Sequence, residues 1–361
     1  MHIPDGYLSP STCATLYACA VSGWYAALKR IKKLLATRAI PLISVFAAFS
    51  FVVMMFNVPL PGGTTGHAIG VGVAVIVLGP WGSMLAISIA LTIQAMFFGD
   101  GGITTLGANC FNMAIVGSFT AYGMYRMIAA KSQLNSRRRV FAGAVAGYVA
   151  VNAAALVTAI EFGIQPTLFH DASGTPLYAP YPLHVAIPAM MIGHLTLAGL
   201  AEAVISAGMV SYLQQADLGL LRGVSGLAQS PAPLIAGTSA ERFPERVWWA
   251  VALLMLCTPL GILAAGTAWG EWSSSDWMNS HTREQIAAAS GNHAPPTSVP
   301  VGMEKLSTLW TAPFPGYAPR FIKSPGFGYL LSAMFGVGVL VLGSLVARVV
   351  SRKWLRRPLR S

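Results

Sequence analysis

Long apolar runs alternate along the chain with short polar and basic stretches. Nine apolar segments stand out, at roughly 10–28, 39–56, 67–79, 81–98, 104–126, 140–163, 184–212, 247–269 and 327–350. A helix needs about 20 apolar residues to cross a bilayer, so the pattern predicts an all-α polytopic membrane protein. The third segment is short. Only Gly79-Pro80-Trp81-Gly82 parts it from the fourth, which predicts a tight helical hairpin.

The basic residues sort by these segments. Lys29, Arg30, Lys32, Lys33 and Arg38 follow the first, and Arg126, Lys131, Arg137, Arg138 and Arg139 lie between the fifth and sixth. Arg222, Arg242 and Arg246 follow the seventh, and Arg348, Arg352, Lys353, Arg356, Arg357 and Arg360 close the chain. With the N-terminus outside and nine spans, the positive-inside rule places 19 of the 23 Lys and Arg in the cytoplasm. Arg283, Lys305, Arg320 and Lys323 share one long outside loop. Dropping a span would put the groups on opposite sides. The expected topology is a seven-span helical bundle over 1–213, a polar cytoplasmic linker over 214–246, and two C-terminal spans over 247–361, ending in the cytoplasm.

Composition agrees with this and narrows the function. Of 361 residues, 55% are hydrophobic and 10% charged, with a net charge of +11 and a mean hydropathy of +0.61. Soluble domains run near 25% charged, so a cytosolic enzyme, a disordered tail and a disulfide scaffold are excluded. Cys13, Cys19, Cys110 and Cys257 lie in apolar stretches without CxxC spacing and read as small membrane residues. MHIPDGYLSP lacks the basic start of a cleavable signal peptide. Met1 is therefore expected to be the mature N-terminus, facing outside.

Chemistry begins at Met1-His2. A free α-amine, the amide nitrogen of His2 and its Nδ1 can chelate one metal ion through a five-membered and a six-membered ring. Such a set suits a metal that deprotonates a backbone amide and prefers square-planar nitrogen ligation: Ni(II), Cu(II) or Co(II). Pro4 has no N–H, so the chelate cannot run further along the chain. Three nitrogens leave one planar position open, and His67 in PGGTTGHAIG is the candidate to fill it. Spacing alone leaves a second reading in which His67 is an ordinary interfacial residue.

The stretches MHIPDGYLSP, VPLPGGTTGHAIGVGVAVIVLGPWGSMLAISIALTIQAMFFGDGGITTLGANCFNMAIVG and GHLTLAGLAEAVISAGMV closely resemble the CbiM/NikM family. These are substrate-capturing membrane components of energy-coupling-factor (ECF) transporters for cobalt and nickel. The resemblance covers most of 1–213. It implies metal capture by the Met1 amine, the His2 amide and imidazole, and the His67 imidazole, in a site buried by a tucked-in N-terminus. Residues 247–361 resemble the small CbiN/NikN component, through LGILAAGTAWGEWS, PFPGYAPRF and a closing span. The Pro-Asp-Gly stretch usual in that family is replaced by SSSDWMNSHTREQ. The resemblance implies that this part assists loading from outside, with His281 and His293 as candidates to hand metal on or as solvated loop residues. It further implies Ni2+ or Co2+ as transported substrate, a CbiQ/NikQ-like transmembrane coupling subunit and CbiO/NikO-like ATPase subunits as partners, and a prokaryotic plasma membrane. Fusion of the two parts leans toward nickel.

Other polar residues at membrane depth are functional candidates by default. Gln94, Asp100, Thr105, Asn109 and Asn112 cluster around GDGGITTLGAN, level with His67. Gln94, Thr105 or Asn109 is expected to fix the tautomer of a metal-bound histidine, or to bond helices together. His194 and Glu202 are eight residues apart, on one helix face. They form a structural polar network or a metal exit relay. No role is assigned to His170 or His184. Ala14, Ala18, Ser22 and Ala26 make a small-residue stripe, for internal packing or for docking on the coupling subunit. No GxxxxGK[ST] occurs, so no ATP site is expected in this chain. The rival reading is a secondary transporter or channel using Glu161 and Glu202, which leaves MHIPDG unexplained.

Overall fold

The computed structural model describes residues 1–35, 39–60, 63–216, 218–221, 243–264 and 266–355. The apolar runs are helices. In chain order these are α1 (Pro10–Leu35), α2 (Ala39–Met54), α3 (Val71–Ile93), α4 (Leu106–Asn109), α5 (Gly117–Ala129), α6 (Arg137–Leu168), α7 (Leu183–Gly193), α8 (Gly199–Ala216) and α9 (Phe243–Cys257). Three short helices follow, α10 (Ser274–Met278), α11 (Ser280–Ala289) and α12 (Val301–Ser307), and then the long α13 (Pro325–Leu355). Arg137–Leu168, Leu183–Ala216 and Pro325–Ala347 are long and apolar enough to cross a membrane; Val71–Phe98 matches them in length and composition but is broken at Gly79, and Ile40–Met54 and Trp248–Leu263 are shorter apolar helices. Large apolar side chains cover the outside of this body. Leu168, Ile192, Leu200, Val204, Trp249 and Leu256 are all more than half exposed, as lipid-facing residues are.

Helix α3 is broken at Gly79, whose φ of 71° and ψ of 173° are open to glycine and strained for other residues. The break reverses the chain. A straight helix of 23 residues would be about 34 Å long. Instead its two ends return to one histidine. His67, just before α3, lies 3.2 Å from His2, and Gln94, just after it, hydrogen-bonds Asp100, which itself lies 3.0 Å from His2. The hairpin expected at Gly79–Gly82 is thus present, and Arg30 of α1 stacks over Trp81 in its turn.

Three features go beyond what the sequence reading fixed. The stretch before His67 is a two-stranded antiparallel hairpin, β1 (Val58–Leu60) with β2 (Thr64–Gly66), in register Val58 to Gly66. The long loop between α9 and α13 is folded, with α10–α12 within it and Trp269, Trp272 and Trp277 buried. The small-residue stripe does not pack inside: Ala14, Ala18 and Ser22 are exposed on α1. Most of the linker expected over 214–246, with Arg222 and Arg242, lies outside the described residues.

Candidate metal site

Residues 1–9 precede the first helix and lie buried among helix ends, with Met1, Ile3, Tyr7 and Leu8 at most 2% exposed. A buried irregular strand must satisfy its backbone groups, and side chains from distant elements do so here. Asn109 accepts from Ile3 N–H (2.8 Å) and donates to Ile3 C=O (3.1 Å), where Thr105 Oγ1 and Gly102 N–H also donate. The Asp5 carboxylate accepts from the N–H groups of Ile103 and Thr104 at 3.1 and 2.7 Å. Gln165 Oε1 accepts from Ser9 N–H at 3.0 Å, and Tyr7 donates to the Trp272 carbonyl at 2.7 Å. Gly102 permits the close approach: a Cβ there would sit 2.4 Å from the Asp5 backbone nitrogen.

This cradle delivers the first two residues to His67. Nδ1 of His2 lies 3.2 Å from Nε2 of His67, the ring centroids are 5.0 Å apart, and both side chains are buried. His67 Nδ1 faces only the Ala68 carbonyl, at 3.0 Å. A carbonyl only accepts, so Nδ1 carries the proton and Nε2 turns its lone pair toward His2. His2 Nδ1 also lies 3.0 Å from Asp100 Oδ1. The Met1 ammonium and the His2 N–H both donate to Oε1 of Glu271, at 3.0 and 2.9 Å. Each of the three nitrogens at the N-terminus therefore meets a carboxylate oxygen.

Electrostatics keep the imidazole of His2 uncharged. Burial lowers its pKa to about 4, partly opposed by the nearby Glu271 carboxylate. Burial raises the Asp100 carboxyl above its ordinary range, opposed by the Tyr317 hydroxyl, the N-terminal ammonium and Gln94. A neutral imidazole is the form that ligates a metal.

The turn carrying His67 is anchored from below. Glu202 Oε2 accepts from the N–H groups of Ile69 and Gly70 at 2.7 and 2.8 Å, and Oε1 from that of Gly72 at 3.1 Å. The first N–H groups of a helix have no partner within it, and a carboxylate there also meets the positive end of the helix dipole. Glu202 thus serves as an anchor with both oxygens engaged, and it does not bond His194. His194 donates Nδ1–H to the Met190 carbonyl at 2.8 Å, while its buried Nε2 has no hydrogen-bond partner. Gly193, beside it, packs on Leu60 of the hairpin. Glu161 accepts from Asn112 at 2.7 Å and ties the stretch after α4 to α6.

Among the other candidates, Thr105 and Asn109 hold the Ile3 backbone and not an imidazole. Gln94 lies nearer the His2 ring, but its Oε1 and His2 Nε2 are both without a hydrogen-bond partner. Its Nε2 donates to Asp100 Oδ2 (3.1 Å) and to Tyr317 OH (2.9 Å). His281 is exposed on α11 beside Gln285, and His293 packs on His184 with ring centroids 5.8 Å apart. Neither is a hydrogen-bond or ring partner of Met1, His2 or His67. The acidic partners Asp100 and Glu271 had no metal role in the sequence reading. The available signal was scarcity: the chain has 12 acidic residues, and these two sit at the ends of apolar segments.

Comparison with known proteins gives a consistent picture. Residues 2–219 match the CbiM family, described as the cobalt uptake substrate-specific transmembrane region. The chain is 50% identical over 343 residues to a fused nickel transport protein, NikMN, of Rhodobacter capsulatus, covering 95% of this chain and 96% of that one. It is 37% identical over 345 residues to LarMN of Lactiplantibacillus plantarum, a probable fused nickel transport protein by name, again covering 95% of this chain and 96% of the relative. A crystal structure of a truncated transition metal transporter is similar at 53% identity and a TM-score of 0.56, over 60% of this chain and 99% of that one.

Proposed function

Because the chain belongs to the CbiM family of cobalt-uptake membrane proteins, we propose that it captures nickel or cobalt from outside the cell with four nitrogens: the Met1 amine, the His2 amide, His2 Nδ1 and His67 Nε2. The observation that carries this reading is the 3.2 Å approach of His2 Nδ1 to His67 Nε2 beside the buried N-terminus. Square-planar ligation sets adjacent nitrogens at nearly that separation, so small ring movements suffice. Four planar nitrogens suit nickel or cobalt, and the likeness to fused nickel transport proteins over 95% of the chain favours nickel. Copper would bind such a set more tightly still, so selectivity rests on availability and on the closed pocket.

In this reading 1–213 is the capture unit, 214–246 a cytoplasmic linker and 247–361 a CbiN/NikN-like unit that supports loading. Nine passes place the N-terminus outside and the C-terminus inside a prokaryotic plasma membrane. The chain works as the substrate-specific component of an ATP-driven ECF transporter, with hydrolysis on CbiO/NikO-like subunits coupled through a CbiQ/NikQ-like subunit. The exposed small-residue face of α1 is where that coupling subunit docks. Glu202 is committed to backbone N–H groups, which favours this reading over a channel with Glu161 and Glu202 as ion sites.

The test is at the amine. One residue added before Met1, or acetylation of its nitrogen, is expected to abolish tight nickel binding measured by titration calorimetry. Unchanged affinity would overturn the assignment.

A further inference from the structure

The capture reading uses nitrogens only, yet three groups of another kind meet at the same pocket. Ligand atoms of His2, Asp100 and Glu271 all lie within 4.8 Å of one another. They differ from the four-nitrogen set in position. The Met1 amine, His2 and His67 are buried, while Asp100 and Glu271 are 18% and 20% exposed. The carboxylates are the more exposed members of the group and the nitrogens the more buried. The imidazole Nε2 of His2 is buried and without a hydrogen-bond partner, as is Gln94 Oε1 beside it, so the His2 ring is not locked in place by its far side.

Glu271 belongs to the C-terminal part, and the fold presents it firmly. Its N–H bonds the Ala268 carbonyl at 3.0 Å, Trp269 packs edge-on against Phe162 of α6, and the Trp272 carbonyl accepts from Tyr7 at 2.7 Å. The C-terminal part thus brings one carboxylate to the chelating nitrogens.

A hydrated dication arriving from water favours oxygen ligands in an octahedral shell that keeps several waters, whereas amide nitrogen ligation needs the shell stripped and protons lost. A site that offers two carboxylates and one imidazole matches the first condition, and the four nitrogens match the second. His2 Nδ1 belongs to both sets. We propose that His2, Asp100 and Glu271 form a receiving site for hydrated divalent transition metal, from which the ion passes to the four nitrogens by ligand exchange. This rests on the capture reading above. In the exchange, metal–oxygen bonds to Asp100, Glu271 and the remaining waters break as metal–nitrogen bonds to the amine, the amide and His67 form, and the waters return to solvent. The proton leaving the ammonium and the one leaving the amide go to water. The arriving cation also displaces the ammonium from Glu271, which frees the amine to ligate.

The experiment is rapid mixing of the full chain in detergent with micromolar Ni2+, followed by visible absorbance, for the unaltered chain, Glu271→Gln and Glu271→Asp. Glutamine keeps an oxygen that accepts from the amine and amide, so the N-terminus stays tethered while the charge is removed. The expected result is that the unaltered chain loads in two phases. Glu271→Gln loses the fast phase and loads at least tenfold more slowly to the same final spectrum. Glu271→Asp retains both phases. Loading of Glu271→Gln at the unaltered rate would overturn the proposal. So would a changed final spectrum, which would make Glu271 a permanent ligand, or equal slowing in Glu271→Asp, which would reduce it to a tether. A lack of any planar nickel spectrum in the unaltered chain would refute the capture reading itself, and the receiving site with it.

Discussion

His2 and His67 meet through Nδ1 and Nε2 at 3.2 Å although 65 residues separate them in sequence. The contact joins the buried N-terminal dipeptide to a turn held by Glu202. Besides Asp100 at the His2 ring and the Ala68 carbonyl at the His67 ring, backbone contacts from Asn109, Glu271 and Glu202 hold the two sides, and this arrangement sets what substitutions will do.

His67→Ala should remove one of four nitrogen ligands and leave the helices intact. Loss of an outer partner of a ligand costs about 10–100-fold in affinity, so loss of the ligand itself should cost more. Nickel titration with visible absorbance checks this, and an unchanged spectrum would exclude His67 as a ligand.

Gly102→Ala places a methyl 2.4 Å from the Asp5 backbone nitrogen. The N-terminal segment must leave its groove, so tight binding should vanish while helical circular dichroism is retained. Asn109→Ala removes one partner from each polar group of the Ile3 backbone and should weaken binding by about 10–100-fold, a smaller loss than that of Gly102→Ala.

Glu202→Gln turns an NH2 group toward backbone N–H donors in a buried place. A donor left unsatisfied costs about 1–3 kcal/mol, so the melting temperature should fall. Nickel affinity should fall with it, because the turn that carries His67 loses its anchor. Normal affinity in a destabilised variant would separate the anchor from the site.

Binding should depend steeply on pH, and His2 is not the reason above pH 5. Its pKa of about 4 keeps the imidazole neutral there. The competing protons sit on the Met1 ammonium and the His2 amide, and capture releases both. Affinity should rise with pH, with about two protons released per metal into an indicator buffer. Stability follows a different window. The folded protein holds His2 below its ordinary value of 6.5, so the unfolded chain binds the extra proton first. Stability should therefore decline as pH falls from 6.5 toward 4 and level off below that.

What the sequence by itself determined is what covalent connectivity and solvent preference fix over short range. The amine, amide and Nδ1 of residues 1 and 2 are spaced to close chelate rings whatever the rest of the chain does. Apolar runs seek lipid, and Gly79-Pro80 cannot continue a helix, so the hairpin could be read from four residues. Tertiary structure decided everything that joins distant elements. It seated Thr105 and Asn109 on the Ile3 backbone, turned the stripe on α1 outward, and folded the stretch around Glu271 and Trp272 against the N-terminus. It also brought Glu271 to within 3.0 Å of the Met1 nitrogen across 270 residues. No local pattern encodes such a pairing. It follows from how Trp269, Phe162 and Tyr7 pack, and packing exists only once the helices have assembled.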